Sequence, residues 1–197
     1  MVLFHQKEWS DQELSELDAW IHAGGGILTY SDSASGGHYK KVGLRNSVGQ
    51  QTVNRIISKY GMEVATDQGG GTRAYQPDEE MEHPIVKGLI LEGEGVSPVA
   101  VPLDSNVKIL IPFSPQNYVD GKSKNLKIQD DGISLQDYQW AALAMAPVGQ
   151  GHVIALFDRQ PLWNNGPGSS IQRKDNQEIL RRIIHFLAGS DPDAPSR

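Results

Sequence analysis

The strongest constraint on the fold is an alternation of short apolar segments with segments at helical spacing. Ser10 and Glu13 form a capping-box pair, which marks the start of a helix, and the apolar segment Ile27–Tyr30 follows that helix. A second helix is predicted over Gln51–Tyr60. A third is predicted from Asp175, again as a capping pattern with an acid three positions later. Strands that alternate with helices predict an α/β domain with a parallel sheet.

The last third of the chain adds a hairpin signal. Trp140–Ala146 and His152–Phe157 flank a turn that contains Gly149 and Gly151. We therefore expect an α/β layered domain whose largely parallel, flavodoxin-like central sheet is flanked by helices and followed by a C-terminal hairpin and helix. The single domain is expected to cover residues 1–189, with a disordered tail over 190–197.

The remaining segments are assigned less completely. Strands are predicted at Val2–Phe4, Met62–Thr66, Val99–Val101 and Val107–Ile111. The glycine-rich and acidic segment Asp67–Glu82 is predicted to be a long surface loop. Residues 114–137 are polar and receive no assignment.

Composition excludes several classes of function. The 197 residues suit one domain, and a composition of 38% hydrophobic and 21% charged residues is typical of a soluble globular protein. No apolar run approaches the ~20 residues that a membrane span needs. The formal charge of -6 argues against nucleic acid as the main partner. No signal-peptide pattern precedes the first helix, so the cytoplasm is the default expectation for localisation.

Metal and cofactor chemistry also lack a pattern. The chain has no cysteine, which excludes disulfides, zinc–thiolate sites and iron–sulfur ligation. Its six histidines are scattered without the spacing of metal ligands. We expect neither a metal site nor a cofactor.

Several motifs, taken in order, resemble one superfamily. Leu17–Leu28 (LDAWIHAGGGIL) resembles the opening motif of class I glutamine amidotransferase-like domains. ThuA-like trehalose-utilisation proteins share this motif. The same resemblance continues at Ile57–Gly61, at His83–Leu89, at Gly149–Asp158 and at Asp175–Gly189. The resemblance implies an α/β domain over most of the chain, together with a strand and helix that would precede Val2.

Departures from the family pattern remove its chemistry. Amidotransferases carry a cysteine nucleophile after the strand that ends here at Tyr30, where this chain has Ser31, Asp32 and Ser33. They carry a histidine just after a late strand, where this chain has Asp158. The resemblance therefore implies a domain without glutaminase activity.

Two polar clusters at predicted strand ends are the candidate site. For Ser31, Asp32 and Ser33 three interpretations stay open: a polar turn bonded to local backbone, a ligand-binding turn, or a serine nucleophile. Asp158 either braces the loop after its strand or faces the Ser31 turn across the top of the sheet. Further ligand-binding candidates follow in the same loop: Arg159, Asn164 and Asn165.

The histidine His83, which precedes a proline, is expected to be a packing or turn residue, with a catalytic base as the alternative. The sequence thus predicts a catalytically inactive amidotransferase-like domain that acts as a ligand-binding or protein-interaction module. The alternative is a hydrolase that uses Ser31 or Ser33, supported by Asp158 or His83. The partner is expected to be a small molecule or a protein. Because the Val2 strand would lie at an uncovered edge, we expect a homodimer or binding to a preceding segment.

Overall fold

The computed structural model describes residues 2–3, 9–30, 53–64, 72–93, 98–113, 138–164, 166 and 170–190. The strands in these ranges are β1 Val2–Leu3, β2 Gly26–Tyr30, β3 Glu63–Val64, β4 Arg73–Tyr75, β5 Leu91–Gly93, β6 Val99–Pro102, β7 Lys108–Pro112, β8 Tyr138–Val148 and β9 Gly151–Leu156. One sheet has the order β1-β2-β9-β8-β6-β3, with β7 also paired to β8, and β4 pairs with β5 in a separate two-stranded sheet.

The central sheet is mixed, so the expectation of a largely parallel, flavodoxin-like sheet is wrong. Only the pairs β1–β2 and β2–β9 are parallel in the described sheet. The pairs β3–β6, β6–β8, β7–β8 and β8–β9 are antiparallel. The alternation of strand and helix that suggested a parallel sheet holds for the first part of the chain and does not extend to β6, β7 and β8.

The long strand β8 shows that an apolar run does not indicate strand direction. Its residues from Trp140 to Ala146 are all buried, giving the continuous apolar run that parallel strands usually show. Here the run arises because the sheet is covered on both faces: Leu143 and Met145 belong to one core, and Ala144 and Ala146 to the other. The apolar run therefore results from burial on both faces of the sheet and is independent of strand direction.

The predicted hairpin is confirmed. Strands β8 and β9 pair antiparallel from Leu143 opposite Leu156 to Val148 opposite Gly151. Gly149 forms the turn with a φ of 58°, a left-handed conformation that glycine adopts without steric cost.

Helix α1 (Asp11–His22) begins at the predicted capping box. The Ser10 hydroxyl accepts a hydrogen bond from the Glu13 N–H at 3.2 Å, and the Glu13 carboxylate accepts one from the Ser10 N–H at 2.8 Å. Such a cap contributes about 1 kcal/mol to helix stability. Leu17 and Ile21 are buried against one face of the sheet.

The same face is covered by a helical segment over 53–57 that continues into a 3-10 turn, Ser58–Tyr60. The opposite face is covered by helix α2 (Asn176–Leu187), through buried Ile179 and Ile183. The described helices thus lie on both faces of a mixed sheet, whereas the sequence predicted a largely parallel, flavodoxin-like sheet between them. None of the described helices is long and apolar enough to cross a membrane.

The segment predicted as a surface loop contains strand β4, which is a second correction. Arg73 and Tyr75 pair with Gly93 and Leu91, and Tyr75 is buried against the rings of Phe113 and Phe157. The sequence pattern missed this strand because it is only three residues long and is surrounded by glycines and acidic residues. Residues 114–137 and the predicted tail beyond Ser190 lie outside the described residues.

Candidate functional site

The parallel pair β2–β9 sets the geometry of the candidate site. Tyr30 lies opposite Leu156 at the carboxyl ends of the two strands, so the chain leaves both strands at the same end of the sheet. Asp158 follows Leu156 by two positions at this end. Ser31, Asp32, Ser33 and Asn165 lie outside the described residues, so the proximity of the Ser31 turn to Asp158 stays a prediction.

Asp158 is buried and stabilises the loop that follows β9. Only 2% of the residue is exposed, and its Oδ1 accepts a hydrogen bond from the Gln160 N–H at 3.0 Å. Gln160 is the first residue of the 3-10 turn Gln160–Leu162, so the carboxylate holds the start of that turn. This bond matches the interpretation of Asp158 as a residue that braces its loop.

The same carboxylate influences Tyr75 on strand β4. Burial raises the pKa of Tyr75 to about 12, nearby Arg73 lowers it, and the negative charge of Asp158 raises it. Tyr75 also stacks against Phe113 with ring centroids 5.5 Å apart. Sequence reasoning missed Tyr75 because it lies in a segment whose composition indicated a loop.

An exposed surface lies beside buried Asp158, formed by Arg159, Trp163 and Asn164; we call these three residues the exit shelf. The Arg159 guanidinium carbon lies 5.1 Å from the centroid of the Trp163 ring, a cation–π arrangement. The Trp163 side chain is nevertheless 48% exposed, and Asn164 is exposed beside it. Backbone hydrogen bonds from Trp163 N–H to the Gln160 carbonyl and from Ile171 N–H to the Trp163 carbonyl hold the main chain of Trp163. The shelf therefore presents an exposed aromatic ring beside a half-buried cation and an exposed amide, both of which also interact with other groups of the chain.

A buried amide supports the same end of the sheet from helix α2. Asn176 Oδ1 accepts from the Glu92 N–H at 2.8 Å, and its Nδ2 donates to the carbonyls of Glu92 at 2.9 Å and Ser170 at 2.8 Å. The preceding Asp175 makes no cap bond to its own helix, which contradicts the predicted capping pattern. Its carboxylate instead accepts from the Ile90 N–H at 2.7 Å. This pair of residues thus clamps the segment that contains β5 to the start of α2, a contact that no local pattern could reveal.

His83 lies at the opposite end of the sheet. Its ring packs against Phe186 with centroids 5.3 Å apart, and His152 packs against the same ring at 4.8 Å. His152 pairs with Gly26 at the start of β2, four positions before Tyr30, which corresponds to about 13 Å along the strand. His83 is therefore not brought together with Asp158, and it is placed as the packing residue that the sequence favoured.

The pKa values of these two histidines follow from their packing. Burial, followed by the charges of Lys108 and His152, lowers the pKa of His83. Burial lowers the pKa of His152. Both rings therefore favour the neutral form in the folded chain.

The glycines of the motif at Leu17–Leu28 lie at this second end and serve packing. A Cβ on Gly25 would overlap the Trp20 ring, and a Cβ on Gly26 would come within 2.8 Å of the Leu187 side chain. A Cβ on Gly151 would overlap the carbonyl oxygens of Gly25 and Ile21. The glycines let the end of α1, the start of β2, the hairpin turn and the end of α2 meet closely; we call this the glycine junction.

The described residues give no support to a metal site. No group of three or more histidine, aspartate or glutamate side chains among them is arranged to hold an ion. The geometry that they do provide is a buried carboxylate beneath an exposed aromatic and cationic surface. Such a surface can bind a planar or anionic group by stacking and hydrogen bonding.

Comparisons with known proteins concern the fold alone. No family model matches the sequence, and no curated protein matches it. Among solved structures, the mmIFT52 N-terminal domain is similar with a TM-score of 0.58 and 11% identity, over 96% of this chain and 77% of that chain. The exo-beta-1,4-mannosidase Op5Man5 from Opitutaceae bacterium strain TAV5 gives a TM-score of 0.38 and 14% identity, over 95% of this chain and 23% of that chain. The first likeness shows a shared overall fold, and the second is too low to support an argument.

Proposed function

We propose that this chain is a catalytically inactive domain that acts as a ligand-binding or protein-interaction module, with the exit shelf as its binding surface. The ligand is a small molecule or a segment of another protein. The proposal has two parts, the absence of hydrolytic chemistry and the presence of a binding surface, and different observations support them.

The separation of histidines from Asp158 is the observation that carries the first part. His22, His83, His152 and His185 are the histidines in the described ranges. His22 contacts the hairpin turn, and His152 is the second residue of β9. His83 and His152 both pack on Phe186, which neighbours His185 in the last turn of α2. These four histidines lie at the glycine junction end, away from the carboxyl end of β2, which supports the absence of a base among them for a serine after β2.

The second part is supported by the exposure of Trp163. An indole that is nearly half exposed while its backbone is fixed presents a rigid apolar face at low entropic cost to binding. Arg159 and Asn164 add hydrogen-bond donors beside that face. Tryptophan and arginine are the residue types that most often dominate the energetics of interfaces.

The resemblance to class I glutamine amidotransferase-like domains stays a proposal. The order of its motifs along the chain supports it, and the loss of the cysteine and histidine positions would make this chain a non-catalytic relative. The similarity in fold to the mmIFT52 N-terminal domain is compatible with a relationship to the amidotransferase-like domains, but it is not evidence for one.

The catalytic part is tested by incubating the purified chain with glutamine and with activated esters, then measuring ammonia and released alcohol. We expect no turnover above that of a mock-purified sample. Ester turnover that scales with protein concentration and disappears in Ser31→Ala or Ser33→Ala would establish the hydrolase alternative. Ammonia release that scales in the same way would overturn the inactive assignment.

The binding part is tested by screening a metabolite and peptide panel for thermal stabilisation of the chain. Compounds that raise the melting temperature of the wild type should have no effect on Trp163→Ala. Trp20→Ala is the matched control, because Trp20 is similarly exposed at 45% but lies at the glycine junction. If a compound still stabilises Trp163→Ala but no longer stabilises Trp20→Ala, the binding surface lies at the other end of the sheet.

A further inference from the structure

Strand β4 has an outer edge that no described strand covers. Its residues pair with β5 along one edge only, and this two-stranded sheet is separate from the central sheet. The strand itself is firmly anchored, because Tyr75 is buried against Phe113 and Phe157. An anchored strand with an uncovered edge is a template for a further strand.

The direction of the backbone groups on β4 follows from the Asn176 clamp. In an antiparallel pair, opposed residues alternate between those that exchange hydrogen bonds and those whose N–H and C=O groups point outward. Ala74 lies opposite Glu92, and both backbone groups of Glu92 are bonded to Asn176. The Ala74–Glu92 pair is therefore a non-bonded pair. The N–H and C=O of Ala74 consequently point away from β5, toward the outer edge.

A groove runs along this edge. One depression of about 530 Å³ is lined by Ala74, Tyr75, Pro112 and the segment 76–79. A second depression of about 500 Å³ shares residues 76–79 of its lining with the first and reaches Met81 and Leu89. Ala74 and Gln76 are both exposed, and they lie two positions apart, the spacing at which the backbone groups of an extended strand face the same edge.

The charge of the groove selects its occupant. Asp78 and Glu79 are exposed on the turn that follows the edge, and Glu82 lines the second depression. Lys87, a cation that lines the second depression, is ion-paired with Glu82. The described residues that line the two depressions, which we call the rim, therefore carry a net negative charge. They lie beside the outward-pointing N–H and C=O groups of β4.

We propose that the outer edge of β4 binds an extended, lysine- or arginine-rich segment of a partner protein as an added strand. The backbone groups of Ala74 and Gln76 bond to that segment, and its cationic side chains reach Asp78 and Glu79. Main-chain pairing supplies affinity, and the acidic rim supplies selectivity. This surface is distinct from the exit shelf, so the inference does not depend on the shelf.

The test uses a short fluorescein-labelled peptide of alternating lysine and valine, with binding followed by fluorescence anisotropy. One matched peptide carries glutamate in place of lysine, and a second keeps lysine but is N-methylated at alternate residues. We expect saturable binding of the lysine peptide that weakens as salt is raised, and binding at least about tenfold weaker for both matched peptides. N-methylation removes strand pairing while it keeps the charge, so equal binding of that peptide would overturn the added strand.

Two variants separate the edge from the rim. Ala74→Pro removes an outward N–H without removing a bond to β5, so it should fold and bind about tenfold more weakly. Asp78→Lys with Glu79→Lys should weaken binding by a similar factor. Glu16→Lys with Asp104→Lys, an equal charge change at exposed positions elsewhere, should leave affinity within about twofold.

Three further outcomes would overturn the proposal. The first is no binding of the lysine peptide at any accessible concentration. The second is wild-type affinity in the Asp78→Lys, Glu79→Lys double variant, whose fold can be checked by circular dichroism. The third is self-association of the wild type in sedimentation velocity that Ala74→Pro abolishes. That result would assign the outer edge of β4 to a second copy of this chain.

Discussion

The end of the sheet where β2 and β9 begin is packed through glycines, whereas the end where they finish carries buried polar and exposed aromatic side chains. At the glycine junction, a Cβ on Gly151 would overlap backbone oxygens, so the elements meet without intervening side chains. At the exit end, Asp158 and Asn176 bond to backbone, and Trp163 remains exposed. The glycine motif of the sequence is thus explained by packing at one end, while the proposed binding surface lies at the other.

The largest expected effect is the loss of stability when the glycine junction is disrupted. Gly151→Ala should lower the free energy of unfolding by about 3 kcal/mol, because the added Cβ must displace the backbone of Gly25 and Ile21. Gly88→Ala is the control: no described atom lies within 4 Å, and only its φ of 71° opposes alanine, at a cost of about 1 kcal/mol. Urea denaturation measures both. Equal losses in the two variants would mean that the junction is not closely packed.

The next effect concerns the exit end. Asn176→Ala should lower the free energy of unfolding by about 2 kcal/mol, because the backbone groups of Glu92 and the Ser170 carbonyl lose their partner in a buried site. Gln177→Ala, at the exposed neighbouring position, should change it by less than about 0.5 kcal/mol. A small loss in Asn176→Ala would show that the exit end does not rely on this clamp.

The third effect is a pH dependence of stability at the junction end. The pKa values of His83 and His152 are lowered on folding, so the unfolded chain binds more protons than the folded chain at mildly acidic pH. Their contribution to stability is complete above the ordinary histidine pKa of about 6.5 and decreases as the pH falls below it. The double variant His83→Leu, His152→Leu should flatten this decrease in denaturation experiments between mildly acidic and neutral pH. His185→Gln should retain it, since both buried rings remain, and an unchanged slope in the double variant would contradict the assignment.

The smallest effect sharpens the description of the exit shelf. A double-mutant cycle of Arg159→Ala and Trp163→Ala should give a coupling energy of about 0.5 kcal/mol, the usual strength of an exposed cation–π contact. The cycle is required because Arg159 makes further interactions that a single substitution would also remove. Zero coupling would indicate that the ring is held by its backbone alone.

Local patterns in the sequence predicted the elements of the fold well. The Ser10–Glu13 capping box, the strand at Ile27–Tyr30 and the hairpin around Gly149 are confirmed, because each depends on contacts within a few residues. The sequence also placed Asp158 just after a strand end and treated His83 as a packing residue.

The tertiary structure alone decided the strand directions and the identity of the clamping residues. The apolar run of β8 records burial on both faces, and burial is the same for parallel and antiparallel neighbours, so the run could not exclude the parallel sheet. Asp175 matched a capping pattern, yet its carboxylate bonds to Ile90, far away in the chain. Tyr75 acquires its raised pKa from burial and from Asp158, neither of which is visible in the segment around it. Sequence patterns report local geometry and average burial, whereas pairing direction and long-range partners are fixed only when the layers pack.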